Sequence, residues 1–147
     1  MTAVIRPANA EDYFAWRALW DAYVAFYGTA LDEAVTAYTW QRCLDPDSPM
    51  FCRLAERDGE VIGFSLAVLH EGSWVRTPIC YLEDLYVAEA QRGKGVGRAL
   101  VADLIDLGQR SGWSRLYWHT REANAAARRL YESITPASGF IVYRVDL

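Results

Sequence analysis

Basic side chains are scarce in this chain. Its 147 residues hold 15 Lys and Arg against 19 Asp and Glu, a net charge of -4. A duplex-binding surface needs clustered positive charge, so general nucleic-acid binding is disfavoured. The densest basic cluster is Arg92, Lys94 and Arg98. Cysteine is sparse as well. Cys43, Cys52 and Cys80 are odd in number and form no CxxC pair, which argues against a disulfide framework. The two histidines, His70 and His119, make no metal-ligand pattern, and no metal is expected. No apolar run reaches the ~18 residues of a membrane span, and the N-terminus has no signal-peptide pattern. A reducing cytoplasm is the expected compartment, with no membrane partner. Linkers, repeats and low-complexity stretches are missing too, so one domain over residues 1–147 is expected.

Aromatic residues are plentiful: six Trp, nine Tyr and five Phe. Some belong to a core and some are available to line a pocket. The segment 3–8 reads as a strand. A helix follows over 9–28, with Asn9 as cap, Glu11 and Asp12 at its positive end, and Gly28 as stop. Trp16, Leu19, Trp20 and Tyr23 recur at helical spacing. A second helix is expected over 32–44. Residues 50–70 read as two strands joined at Asp58-Gly59, a strong hairpin signal. A strand over 79–87, a helix over 97–113, a strand over 114–120 and a helix over 122–133 follow. "FIVYRVDL", 140–147, reads as a closing strand. The order β-α-α-β-β-β-α-β-α-β predicts a single α/β domain with a mixed sheet flanked by helices.

The stretch "QRGKGVG", 91–97, sits between the strand 79–87 and the following helix. A helix N-terminus leaves N–H groups without partners, and glycine removes the Cβ that would keep an anion away. It lacks the GxxxxGK[ST] of a Walker A loop, and its GxGxG spacing departs from the GxGxxG of dinucleotide folds. By itself it fits a phosphate cradle or a plain strand-to-helix turn equally well. In a wider frame, "LYVAEAQRGKGVGRAL" resembles the signature of the GNAT superfamily, the GCN5-related N-acetyltransferases, with Arg92, Gly95 and Gly97 at matching positions. The order of elements is similar to that family along almost the whole chain.

The resemblance implies the GNAT fold, with a mostly antiparallel sheet, and an enzyme moving the acetyl group of acetyl-CoA to a primary amine. It implies that backbone groups of Arg92, Gly93, Lys94, Gly95, Val96, Gly97 and Arg98 hold the pyrophosphate. It also implies that Leu85, Tyr86 and Val87 bond the pantetheine arm on a strand that splays from its neighbour. "NAAARRLYES" matches the family's Asn-x-x-Ala-x-x-x-Tyr pattern. Asn124 and Ala127 would then meet the coenzyme arm, and Tyr131 would protonate the leaving sulfur. Read without the family, Asn124 is a helix cap and Tyr131 a core tyrosine. Arg128 and Arg129 read as a solvated helix face.

"YLEDLYV", 81–87, puts two adjacent carboxylates in an apolar strand, which is costly unless they are paired, exposed or used. Alternation places Tyr81, Glu83, Leu85 and Val87 on one face, and Leu82, Asp84 and Tyr86 on the other, unless a bulge intervenes. The run resembles the diamine and polyamine acetyltransferases of the family. That makes Glu83 the candidate base, acting through water, and Asp84 a holder of a cationic substrate. Salt bridges on an exposed face are the alternative for both. Trp20 and Tyr27 are candidates to meet the acceptor from the first helix. The expected acceptor is therefore a small cationic amine such as a polyamine. The alternatives are a protein lysine or N-terminal amine, and a non-catalytic coenzyme A sensor. A homodimer is a further expectation, with the closing strand available to take part. One departure stands out: Gly139-Phe140 comes eight residues after Tyr131, where many relatives have about four.

Overall fold

The computed structural model describes residues 2–147. Strand β1 (Val4–Pro7) leads through a short 3-10 turn into helix α1 (Tyr13–Phe26) and helix α2 (Glu33–Leu44). Strands β2 (Met50–Arg57), β3 (Glu60–His70) and β4 (Ile79–Val87) follow, then α3 (Val96–Ser111), β5 (Arg115–Tyr117) and α4 (Ala125–Glu132). The sheet runs β1-β2-β3-β4-β5 in space, antiparallel throughout except for the parallel β4–β5 pair. This is the mixed, mostly antiparallel α/β architecture expected. The parallel pair is joined by α3, as a crossover connection requires.

Local chemistry accounts for the boundaries. Asn9 caps the entry to α1 by accepting from the Glu11 N–H, and Asp12 returns a bond to the Asn9 N–H. That reciprocal box closes around the 3-10 turn Ala10–Asp12, which delays the α-helix to Tyr13. Arg6 from β1 bonds both oxygens of Asp12 at 2.8 Å, locking strand to helix. The β2–β3 hairpin turns on Asp58 (φ 54°) and Gly59 (φ 79°), the left-handed pair that a two-residue turn demands.

Two apolar layers flank the sheet. On one face Trp16, Trp20 and Trp40 stack with centroid spacings of 5.1 and 4.7 Å, over Leu54, Phe64, Leu66 and Tyr86. On the other, α3 presents Leu100, Val101 and Leu104 to Ala55, Ile62, Ala67 and Leu82. Arg53 of β2 and Asp103 of α3 clamp that layer through two 2.8 Å bonds.

The structure departs from the expected elements in three places. The alternation expected along β4 breaks: Leu66 lies opposite Asp84 and Ala67 opposite Leu82, so Glu83 is the extra residue of a β-bulge. Beyond it the faces switch. Leu85 and Val87 join Leu82 on the α3 side, while Asp84 and Tyr86 turn to α1. The closing strand over 140–147 is not formed; that segment pairs with no other strand and is exposed throughout. The strand expected over 114–120 is likewise only three residues long, Arg115–Tyr117.

Candidate functional site

Strands β4 and β5 pair only from Ile79 opposite Arg115 to Tyr81 opposite Tyr117. Past Tyr81 they separate, so the stretch Glu83–Val87 has no strand partner on its β5 side. Unpaired main-chain groups must be satisfied by something. The wedge they line opens toward the N-terminus of α3 and toward α4.

At the α3 end, Gly93 (φ 75°) and Gly95 (φ 83°) are both left-handed, and a Cβ on either would meet nothing within 4 Å. Gly95 is the residue just before α3, and no side chain caps the helix. Its first N–H groups therefore face outward from an open turn. Gly97 serves differently. A Cβ there would sit 3.3 Å from the Leu130 side chain, so this glycine lets α4 close on α3. Val96 is buried and anchors the turn to the core. An open pocket of about 330 Å³ lies beside the turn, lined by Arg57, Lys94, Gly95, Val96 and Ala99 together with the N-terminal Thr2 and Ala3.

Arg57 was not legible as a site residue. It lies at the end of β2, far away in sequence, and one of its guanidinium nitrogens donates to Gln91 at 2.9 Å. Its Nε is buried with no partner, an orphan donor beside the glycine turn. Arg92 is folded back instead: its Nε donates to the Val87 carbonyl at 3.1 Å and its guanidinium lies over the Tyr86 and Phe26 rings at 5.2 and 5.5 Å. It thus fixes the end of β4 to α1. Arg98 donates to Ser133 at 2.6 Å, tying α3 to the end of α4.

On the other wall, Asn124 caps α4 by accepting from the Ala127 N–H at 3.2 Å. Tyr131, two turns on, is half-buried and meets Trp118 edge-to-face at 5.4 Å. Burial raises its phenol pKa, and the neighbouring Tyr27 raises it further. Tyr27 is partly exposed, and the Arg121 guanidinium sits 5.5 Å over its ring. Trp20 lies in the core, with its indole N–H bonded to Thr36 at 3.1 Å.

The bulge sets the two carboxylates apart. Glu83 is exposed, and no side-chain hydrogen bond or ion pair holds it among the described residues. Asp84 is turned inward, where the Tyr23 hydroxyl donates to its Oδ1 at 2.6 Å. Burial pushes the Asp84 carboxyl up to about 6; the bond from Tyr23 opposes this and nearby Glu83 adds to it. Tyr23 is driven well above the ordinary phenol range by burial and then by Asp84. Neither the bulge nor this pair could be read from the sequence, because both depend on what β3 and α1 bring alongside.

The sequence matches the model of the acetyltransferase (GNAT) family over residues 14–134. The chain belongs to that family. It is 32% identical over 143 residues to the D-amino-acid N-acetyltransferase HPA3 of Saccharomyces cerevisiae, covering 96% of this chain and 89% of the relative. Its fold superimposes on the ribosomal-protein-alanine N-acetyltransferase of Brucella melitensis with a TM-score of 0.84, at 22% identity and full coverage of both chains. It superimposes at 0.82, with 20% identity and full coverage of both, on AAC(6')-Iy solved in complex with the bisubstrate analogue CoA-S-monomethyl-acetylneamine. As a GNAT protein the chain is an acetyl-CoA-dependent N-acetyltransferase.

The residues present fit that coenzyme. The wedge offers unpaired main chain, the turn offers glycines with open space before them, and Arg57 and Lys94 supply positive charge beside it. When bound, acetyl-CoA supplies an activated acetyl group on a thiol leaving group. Among the described residues no helix is long and apolar enough to cross a membrane.

Proposed function

We propose that this N-acetyltransferase acts on the amine of a small amino-acid-like acceptor. The observation that carries the reading is a set of charges of opposite sign around the adjacent rings of Tyr23 and Tyr27, whose centroids are 5.1 Å apart. The carboxylates of Glu83 and Asp84 lie on β4, and the Arg121 guanidinium stands over Tyr27, next to Tyr131. A polyamine has only cationic groups to offer, and Arg121 would repel it. An amino acid presents an ammonium to the carboxylates and a carboxylate to Arg121, as two charge-assisted contacts. The activity in the name of the yeast relative supports the same class. Tested with acetyl-CoA and read by thiol release, D- and L-amino acids are expected to exceed spermidine and lysine peptides in kcat/KM by tenfold or more. A preference for spermidine would return the acceptor to the polyamine class. A preference for lysine peptides would make it a protein, and tight coenzyme A binding without thiol release for any amine of the panel would leave a coenzyme A sensor.

In this reading Asp84 takes the proton. A carboxyl raised to about 6 is ionised at neutral pH yet basic enough to accept a proton. Glu83 at the mouth steers the ammonium inward and leaves proton transfer to its neighbour. The sign follows from the ionised form being active. In wild type, kcat/KM gains a limb rising with pH through about 6. The Asp84→Asn variant is expected to lose that limb and about 10²-fold in rate, whereas Glu83→Gln keeps the limb and raises KM. The reverse pattern would restore Glu83 as the base. Arg57, Lys94 and the amides of Gly95 to Arg98 would hold the pyrophosphate in this proposal. Leu85, Tyr86 and Val87 would offer main chain to the pantetheine arm, with Asn124 and Ala127 opposite. Tyr131 would protonate the sulfur.

A further inference from the structure

Where β4 and β5 part, four rings gather: His70, Tyr81, Tyr117 and His119. Tyr81 and Tyr117 lie side by side, with centroids 4.9 Å apart. The Tyr81 hydroxyl shares a 2.6 Å hydrogen bond with His119 Nε2, and the Tyr117 hydroxyl shares one of 2.9 Å with His70 Nε2. Each phenol is thus tied at its tip to an imidazole, which fixes its ring. His119 lies two residues past the last main-chain rung, so its contact with Tyr81 joins the strands through side chains just where their ladder ends.

The helices leave these rings bare. Cys80, Leu82, Leu116 and Trp118 pack on the α3 side, so alternation turns Tyr81, Tyr117 and His119 to the opposite face. On that face the apolar layer under α1 and α2 takes in Phe64, Leu66 and Tyr86 but, among the described residues, none of the four rings. Tyr81 is half-buried, and Tyr117 and His119 are exposed. The bulge at Glu83 decides what they stand beside. Tyr81 and Asp84 are three positions apart, so an unbroken strand would put them on opposite faces. The extra residue switches the faces between them, and both now lie on the α1 side. At roughly 3.3 Å per residue, they are no more than about 10 Å apart along β4. Burial first, and then the Glu83 carboxylate, pushes the Tyr81 phenol up to about 12, so the ring stays neutral through the working range. Charges border the rings on both sides, since the Arg115 guanidinium lies 5.8 Å over Tyr117. A cationic side chain would meet Arg115 and an anionic one Glu83, whereas a neutral ring is opposed by neither.

Resting on the amino-acid acceptor proposed above, we propose that the ring pair of Tyr81 and His119 is its side-chain subsite, and that the side chain it selects is aromatic. With the ammonium at Asp84 and the carboxylate toward Arg121, the third substituent faces along β4 to Tyr81. An aromatic ring there lies offset over the phenol or edge-on to it, the arrangements that ring quadrupoles favour. His119 is a positioning residue: its bond to the Tyr81 hydroxyl keeps the phenol out of the space that the substrate ring takes. Tyr117 and His70 continue the surface outward, so an indole is accepted as well as a phenyl.

A panel of amino acids with acetyl-CoA, in the hand that the enzyme prefers and read by thiol release, tests this. Wild type is expected to use phenylalanine and tryptophan with kcat/KM about tenfold or more above alanine and leucine, and lysine and glutamate no better than alanine. In Tyr81→Ala the preference for phenylalanine over alanine is expected to fall below about threefold. Tyr81→Phe, which keeps the ring, is expected to retain it. His119→Ala is expected to raise KM for phenylalanine more than it lowers kcat, and a fall in kcat alone would remove His119 from this role. A mere strut would act on every acceptor alike, so equal losses for phenylalanine and alanine in Tyr81→Ala would overturn the proposal. Wild type alone is decisive if a variant fails to fold. Equal use of alanine and phenylalanine would overturn the subsite and leave the amino-acid acceptor standing. Transfer to no amino acid at all would overturn both.

Discussion

Replacing Tyr131 with phenylalanine is expected to lower kcat by about 10²-fold and leave the affinity for acetyl-CoA within twofold. The ring stays, so the edge-to-face contact with Trp118 at 5.4 Å stays with it, and only the hydroxyl is lost. Tyr131 is the one phenol on α4. Its raised pKa keeps it protonated throughout the working range, as a donor to a departing thiolate must be. A truncated contact would raise KM, whereas a lost donor lowers kcat and kcat/KM together. Steady-state kinetics with saturating acetyl-CoA, set beside calorimetric binding of coenzyme A, separates the two. Turnover equal to wild type from pH 6 to 9 would remove Tyr131 from the chemistry and leave it a packing tyrosine.

Gly95→Val is expected to weaken acetyl-CoA binding by about 10²-fold, equivalent to ~2.7 kcal/mol. Two causes act together. A β-branched residue at φ 83° occupies a region that side chains with a Cβ avoid, at a cost of ~1–2 kcal/mol. The new side chain also projects into the open space in front of the α3 N-terminus, beside Lys94 and Arg57. Gly97→Ala is the control. Its Cβ would press on Leu130 at 3.3 Å, so its effect should appear in thermal stability more than in coenzyme affinity. Isothermal titration with coenzyme A, together with the melting temperature of each variant, decides the matter. An unaltered dissociation constant for Gly95→Val would mean that the turn does not cradle the diphosphate.

Much of this architecture was legible because its signals are local. The Asn9 cap, the Asp58-Gly59 hairpin and the glycine turn each depend on residues a few positions apart, and each is where the sequence pattern puts it. The family signature adds a coenzyme and a reaction. What escaped depends on distant partners. The bulge at Glu83 is a mismatch in length between β3 and β4, and a single strand carries no sign of it. The inward turn of Asp84 needs Tyr23, sixty-one positions away. The orphan Nε of Arg57 is visible only once β2 has been laid beside the turn. The tail is the opposite case: its alternation reads as a strand, yet residues 140–147 form none, because a strand exists only where another edge receives it.

The last rung between β4 and β5 is Tyr81 opposite Tyr117. Because the cleft beyond it is a gap in a ladder of peptide groups, exchanging side chains alters its lining without filling it. On the function proposed above, lineages could therefore rewrite the aromatic and charged residues of α1 and of the mouth, and with them the choice of recipient, while the proposed donor slot stayed intact. On that reading, a fork in the main chain would keep one half of the reaction constant and free the other half to drift.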